Sequence, residues 1–541
     1  MRRIRMMFTR GFALVFTVAF ALAFGQVAEL RGQSFDLMEA TIPGVHAALK
    51  SGRLTCRALV QGYLDRIAAY DQQGPKLNAI QNVNPRALQE ADSLDAARRA
   101  GRTMGPMHCV PVLLKDQVET KKMPTTYGSA LFKDFVPQRD ATVVTRLEAA
   151  GAIILAKTTM GEFASRYVGS AMGIIRNAYD PMRNPSGSSG GSASGVAANF
   201  GLVGIGEDTG GSVRGPAAVT SLVGLRPTLQ LISRFGMLPA NPTQDTMGPM
   251  TRTVMDAALL LDQMVGYDAN DPITAYAVDR TPASYAALLK ADALKGARIG
   301  VLRPRTDTSA AARNDTSATA RETAADRARV RAVMDRAIAQ LRALGATVVD
   351  SLVIPELNQR GGPGNDFETE QATDAYFRDH PNAPVKTFKE IMLSGVVNPW
   401  RARGMMEYVG KTTSDPDYLV VMQRREAVRV GVLKAMADQK LDAIAYATFD
   451  QEPSLIAEDA LTNPRPRDGY GRGDNRGLSP TTGFPALTVP AGFTSNELPV
   501  GLELLGRPFS EALLLGLGYS FEQGTKYRRP PKTTPPLPAG R

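Results

Sequence analysis

"NPSGSSGGSASGVAANFGLVGIGEDTGGSVRG", residues 184–215, is the stretch on which the reading of this chain turns. Its density of glycine and serine admits a flexible linker, a phosphate-binding loop or a serine-based catalytic site. A linker would separate two regions of different composition, but here an apolar run, "ASGVAANFGLVGIG" (193–206), lies inside the segment itself. A phosphate loop needs a lysine after its glycines, and none follows. "GIGEDTG" places its third glycine one residue too far for a dinucleotide fingerprint. A nucleophile elbow, G-x-S-x-G, does match at Gly187, Ser189 and Gly191. That motif requires an acid and then a histidine downstream. The one histidine available is His380, in "FRDHPNAP", which reads as a solvated turn, so a Ser-His-Asp hydrolase is disfavoured.

What remains is a serine site that deprotonates its nucleophile without histidine. Lysine can take a serine proton only as the neutral amine, and burial favours that form. "HCVPVLLKDQVETKKMPTTYGS" (108–129) supplies a candidate in Lys115, at the end of the apolar run Val110–Leu114. Taken alone the signal is weak, because most lysines at strand ends reach solvent.

The rest of the chain sets the frame. With 541 residues, 43% hydrophobic and 21% charged, the composition is that of a globular protein with material for a large core. The formal charge is +10, but Arg2, Arg3, Arg5 and Arg10 fall in the first 25 residues, which hold no acidic residue. No basic run interleaved with aromatics occurs, which argues against nucleic acid as a partner. Residues 1–25 combine that basic start with an apolar run, Phe12 to Phe24, and read as a signal peptide with the mature chain beginning near Gln26. The run is shorter than a spanning helix needs, so a retained anchor is the lesser reading and no stable membrane span is expected after processing. Export to the periplasm or outside the cell is the expectation. Cys56 and Cys109 could pair in an oxidising compartment, but two cysteines so scattered read more readily as buried free thiols. With three histidines and no CxxC or HExxH, neither a metal nor a cofactor is expected.

Helix and strand patterns alternate along the chain. "VVTRLEAAGAIILAK" (143–157) carries apolar residues at helical spacing, stops at Gly151 and continues as a short apolar run. "AVMDRAIAQLRALGATVVDS" (332–351) repeats the scheme around Gly345, and "ARIGVL" (297–302), "LDAIAYATF" (441–449) and "ALTVPAGF" (486–493) read as buried strands. These predict an α/β fold of layered helices and strands. A signal peptide is expected over 1–25 and a Pro-rich tail over 526–541, and the polar stretch 306–326 reads as an insertion, an exposed loop or solvated helix start. The tail's "RRPPKTTPPLPAGR" (528–541) reads as loosely held.

Lys115-Asp116 after an apolar strand, "SGSSGGSASGVAA" (186–198) and "GEDTGGSVRGPAA" (206–218) together resemble the amidase signature family of Ser-Ser-Lys hydrolases. Ser188 and Ser212 stand 24 residues apart, the spacing of that family's two catalytic serines. The likeness extends through "MPTTYGS" (123–129), "AKTTMGEFA" (156–164), "LVGLRPT" (222–228) and "TTGFPALTVPAGF" (481–493), and covers about residues 35–525. It implies a single large layered domain with a central mixed sheet flanked by helices, made of a helical region packed on the core over 26–100 and a catalytic domain over 101–525, with variable insertions near 306–326 and 358–416. It also implies Ser212 as nucleophile, Ser188 as a bridging serine beside a cis peptide, and Lys115 as base, with the oxyanion hole at the amides of Thr209, Gly210, Gly211 and Ser212. Two glycines before a nucleophile let successive N–H groups face a developing oxyanion. Ser189 is the rival for the bridging role, its plainer reading being a turn serine. Asp208 and Arg214 read as a pair holding the loop. Two departures from the family pattern are Ser186 and Cys109, each where a glycine is common.

The implied activity is hydrolysis of a carboxamide C–N bond through an acyl-enzyme on Ser212. A secreted peptide-amidase-like layout points to a C-terminal peptide amide, or an aryl or acyl amide. The alternatives are an amidotransferase A-type subunit that works with a partner, and an esterase or carbamate hydrolase on the same site. Met160, Phe163, Met172, Trp400, Met405 and Met406 could furnish an apolar pocket, each reading individually as core.

Overall fold

The computed structural model describes residues 35–303, 317–358, 364–466 and 474–538. Residues 1–25, expected to be a signal peptide, and residues 306–316 of the polar insertion lie outside them. The described residues form thirteen strands: β1 (Ile80–Val83), β2 (Pro111–Lys115), β3 (Ile153–Thr158), β4 (Val168–Gly169), β5 (Gly173–Ile174), β6 (Val203–Asp208), β7 (Val223–Arg226), β8 (Thr246–Thr251), β9 (Arg298–Val301), β10 (Thr347–Val349), β11 (Ala443–Ala447), β12 (Ala486–Phe493) and β13 (Pro499–Leu505). Eleven form one sheet in the order β1-β3-β2-β6-β8-β7-β12-β13-β11-β9-β10, while β4 and β5 pair separately. The sheet is mixed: β3-β2-β6 and β11-β9-β10 run parallel, and the pairs from β6 through β8, β7, β12 and β13 to β11 are antiparallel.

Strands β2, β3, β6, β8, β11 and β13 are buried at every position, as a sheet covered on both faces requires. Helix Glu511–Thr525 packs on β12, Val254–Met264 on β8, and Gly190–Ala197 on β2 and β6. The helix-Gly-strand units appear as read. Thr142–Ala149 turns at Gly151, φ +95°, into β3, and Ala318–Ala343 turns at Gly345, φ +95°, into β10. That second helix, capped by Ser317 accepting from the Ala320 amide at 3.1 Å, begins inside the insertion, the solvated helix start of the two expectations. Residues 42–99 add three helices and also β1, which pairs antiparallel with β3 at the sheet edge.

Three sequence expectations are corrected. Residues 528–538 are docked, not loose. Arg66 donates to the Thr534 and Pro535 carbonyls at 2.8 and 2.9 Å, Arg528 pairs with Glu39 at 2.6 Å, and Thr534 is buried. Composition misleads there because the partners lie more than 450 residues upstream. Cys56 and Cys109 are joined in a disulfide, Cα–Cα 5.3 Å, beside His108, whose Nε2 lies 3.8 Å from Cys56 Sγ. His380 is buried, not solvated. Its Nε2 meets Glu119 Oε1 at 2.8 Å and its Nδ1 the Tyr376 carbonyl at 2.6 Å, within an aromatic cluster that includes Tyr127, Phe132 and Phe377.

Candidate active site

Lys115 ends β2, and Glu207 and Asp208 end the neighbouring parallel strand β6. One rim of the sheet therefore receives a lysine and two carboxylates. The loop before helix Gly190–Ala197 lies against this rim. Lys115 Nζ contacts Ser188 Oγ at 2.7 Å, Glu207 Oε2 at 2.8 Å and the Glu207 carbonyl at 3.3 Å. All three residues are fully buried. Burial holds Lys115 below the ordinary lysine range, while the Glu207 carboxylate pulls it back up.

The Gly187–Ser188 peptide bond is cis, as the resemblance implies. A Cβ on Gly187 would lie 1.6 Å from the Arg166 carbonyl oxygen, so only glycine lets the two backbones meet here. The two candidate serines have different partners. Ser189 Oγ sits 3.2 Å from the Glu207 carbonyl and 3.3 Å from its amide, bonding local strand backbone, while Ser188 alone of the two touches the lysine. Ser186 and Cys109, the two departures from the family pattern, both have φ near +64° and +63°. That is the left-handed region in which glycine is at ease, which accounts for glycine being common at both places.

Ser212 is half-buried, between Gly211 at φ +120° and the short helix Arg214–Val219. Asp208 anchors this turn: its carboxylate accepts from the Gly211 amide at 2.7 Å, the Val213 amide at 3.1 Å and Arg214 Nε at 3.1 Å. Arg214 also reaches Glu503, and Arg226 approaches Asp208 Oδ1 at 3.7 Å, all of them buried. Burial would push the Asp208 carboxyl up, but the charges of Arg214 and Arg226 hold it well below the usual carboxylate range. The expected Asp208–Arg214 pair is thus present, extended by Glu503 and Arg226, which the sequence reading missed. Of the four amides expected to face an oxyanion, that of Gly211 is turned onto Asp208. Among the described residues the Gly210 and Ser212 amides meet no acceptor, and Gly210 is exposed. A Cβ on Gly211 would come within 2.6 Å of Arg476 Cδ, so the Arg476 side chain covers the turn.

Glu207 and Asp245 also escaped the sequence reading. A signal for Glu207 existed: a carboxylate inside the buried run "VGIGED" must have a partner. Of the pocket candidates, Phe163 and Met405 belong to the aromatic cluster and Met160 is fully buried. Met406 is 68% exposed, which removes it from a pocket. Trp400 stacks under the Arg166 guanidinium at 4.8 Å, flanking the Gly187 loop.

A family model described as Amidase matches residues 58–515. A probable amidase of Arabidopsis thaliana is 32% identical, with 96% of each chain covered. A glutamyl-tRNA(Gln) amidotransferase subunit of Moorella thermoacetica is 35% identical over 86% of this chain and 92% of its own. Among solved structures, the native peptide amidase of Stenotrophomonas maltophilia superposes with a TM-score of 0.77 at 33% identity, covering 92% of this chain and 99% of that one.

Proposed function

Given that the chain belongs to the amidase family and is a hydrolase of amide C–N bonds, we propose that Ser212 is its nucleophile, with Ser188 and Lys115 carrying the proton away. The observation that carries this reading is the buried 2.7 Å contact between Lys115 Nζ and Ser188 Oγ, at the strand end where Glu207 also meets the lysine and the next residue, Asp208, anchors the Ser212 turn. In acylation, Ser212 Oγ attacks the amide carbonyl carbon as its proton passes to Ser188 Oγ, while the Ser188 proton passes to the Lys115 amine. The C–N bond breaks as the same relay returns a proton to the leaving nitrogen, which departs as ammonia or an amine. Water then attacks the acyl-Ser212 ester along the same path and releases the acid. The free Gly210 and Ser212 amides are the oxyanion donors this reading favours, with the Thr209 amide beside them. Gly211 would join only if its bond to Asp208 opened.

For substrate, the likeness to a peptide amidase supports a C-terminal peptide amide or another small carboxamide. The amidotransferase likeness supports a second reading, in which released ammonia passes to a partner protein. A panel of amides, esters and carbamates assayed on the purified chain for free ammonia and amine separates them: amide turnover with free ammonia supports the first, and turnover only with a partner present supports the second. Export through residues 1–25 completes the proposal. It is supported by the Cys56–Cys109 disulfide, a bond that persists in oxidising compartments. No helix among the described residues is long and apolar enough to cross a membrane. N-terminal sequencing of the mature chain tests export, with a start near Gln26 expected and an intact Met1 against it.

A further inference from the structure

Lys115 faces more acid than an amine base needs. Beyond Glu207 Oε2, the other oxygen of that carboxyl lies 2.5 Å from Thr209 Oγ1, and the same hydroxyl lies 2.7 Å from Asp245 Oδ1. A hydroxyl has one proton to donate. It can give that proton to one carboxylate, so the second short contact is a hydrogen bond only if that carboxyl carries a proton of its own. Asp245 Oδ2 already accepts two backbone amides, Ala240 at 2.8 Å and Asn241 at 2.7 Å, which places the proton on Oδ1. An unbroken hydrogen-bonded chain results: Asp245, Thr209, Glu207, Lys115, Ser188. Its four members other than Thr209 are buried.

The surrounding charges are spoken for. Asp208 is held by Arg214 and Arg226, whose Nη2 also donates to the Gln244 carbonyl beside Asp245, and Asp116 next to Lys115 pairs with Lys157 of β3 at 3.1 Å. Burial first, and then the Glu207 charge, push the Asp245 carboxyl up from the ordinary aspartate range, the direction that favours its holding a proton.

We propose that Glu207 and Asp245 are positioning residues that set the charge of Lys115, Glu207 taking the ammonium proton and Asp245 storing a second one through Thr209. This rests on Lys115 being the base. In the step, an N–H bond of the Lys115 ammonium breaks and an O–H bond forms on Glu207 Oε2, so a buried ion pair becomes a neutral amine and carboxylic acid. No proton leaves the cluster and its net charge does not change. The dry surroundings lower the cost of that transfer, because they penalise the ion pair more than the neutral pair. The amine's lone pair then faces Ser188 without a proton having to reach solvent.

The test compares full-length wild-type protein with Glu207→Gln, Glu207→Asp and Asp245→Asn, measuring kcat and KM against pH on one amide. Glu207→Gln is expected to lose about 10-fold or more in kcat at pH 7 with KM little changed, and to regain activity as pH rises, because Lys115 must then shed its proton to water. Glu207→Asp should restore the wild-type profile at least in part. If Glu207 were only a counter-ion, its removal would make Lys115 easier to deprotonate. The acidic limb of Glu207→Gln would then move to lower pH, and that result, or an unchanged profile, overturns the proposal. Infrared spectra give a readout independent of turnover: the wild type minus Asp245→Asn difference at pH 6 is expected to hold a carboxylic acid band that the variant has lost, and the absence of such a band from the difference counts against the chain. Lys115→Ala separates the two levels. Full activity in that variant removes the base assignment itself, whereas an inactive Lys115→Ala beside a Glu207→Gln of wild-type profile removes only the chain.

Discussion

Replacing Asp208 by Asn should disable the Ser212 turn and destabilise the fold together. The substitution keeps shape but removes the one negative charge that faces two buried guanidiniums, those of Arg214 and Arg226. Removing one partner of a buried pair typically costs about 3–5 kcal/mol, since the remaining charge is left uncompensated. Arg214 keeps Glu503 and the Arg476 carbonyl, and Arg226 keeps the Asp208 and Gln244 carbonyls, so the expected loss lies near the lower bound, about 3 kcal/mol. The Asp208 carboxyl is depressed in the folded state, so its contribution is present above its unfolded value and is lost as pH falls through the folded one. The gap between variant and wild type should thus be full at pH 7 and shrink on acidification below about pH 4. Equilibrium urea unfolding at pH 7 and at pH 3.5 measures it, and the labelling rate of Ser212 by a fluorophosphonate reports the turn, whose Gly211 and Val213 amides lose a charged acceptor. A stability loss under about 1 kcal/mol, far below what an orphaned buried charge costs, together with an unchanged labelling rate, would mean that Asp208 neither balances the two arginines nor holds the turn.

Lys115→Ala should harm an amide more than an activated ester of the same acyl group, because an amine leaves only with a proton and a phenolate leaves without one. Loss of acid-base help is expected to cost the amide about 10²–10⁴ in kcat/KM, and equal losses on both substrates would confine Lys115 to activating the nucleophile. Because burial lowers the Lys115 ammonium's proton affinity, wild-type activity should climb on the acidic side and hold into the alkaline range; an acid optimum in kcat/KM would contradict it. Asp256, fully buried and pushed up by that burial to about 6, binds its proton more tightly folded than unfolded, so stability falls as pH rises from about 4 to about 6, by roughly 3 kcal/mol. Asp256→Asn, which keeps an acceptor for the Ile42 amide, should flatten that slope in denaturant titrations.

Local patterning carried the fold a long way. The helix at Thr142–Ala149, its glycine stop and β3 follow from apolar spacing, and β12 spans the eight residues of "ALTVPAGF". Strand β8, "TMGPMT", escaped because a glycine and a proline hide a strand that only its neighbours β6 and β7 define. At the site, Lys115 and Ser188 were named from motifs 73 residues apart, and the fold brings them into contact. Glu207 and Asp245 were not named, since a carboxylate's task depends on which hydroxyl or ammonium folds over it, here Thr209 and Lys115. The docked tail, the Cys56–Cys109 bond and the buried His380 share that cause. Each is decided by a partner distant in sequence, Arg66 for the tail and Glu119 for the histidine, and no local window contains it.

Every step proposed for the site depends on the acyl group riding on Ser212. Purified protein reacted with a fluorophosphonate, digested and mapped by mass spectrometry tests it most directly, with Ser212→Ala and Ser188→Ala run alongside. The adduct should sit on Ser212 in the wild type, vanish in Ser212→Ala together with amide turnover, and form far more slowly on Ser212 in Ser188→Ala. An adduct on Ser188 or Ser189, or amide turnover that survives Ser212→Ala, would contradict it.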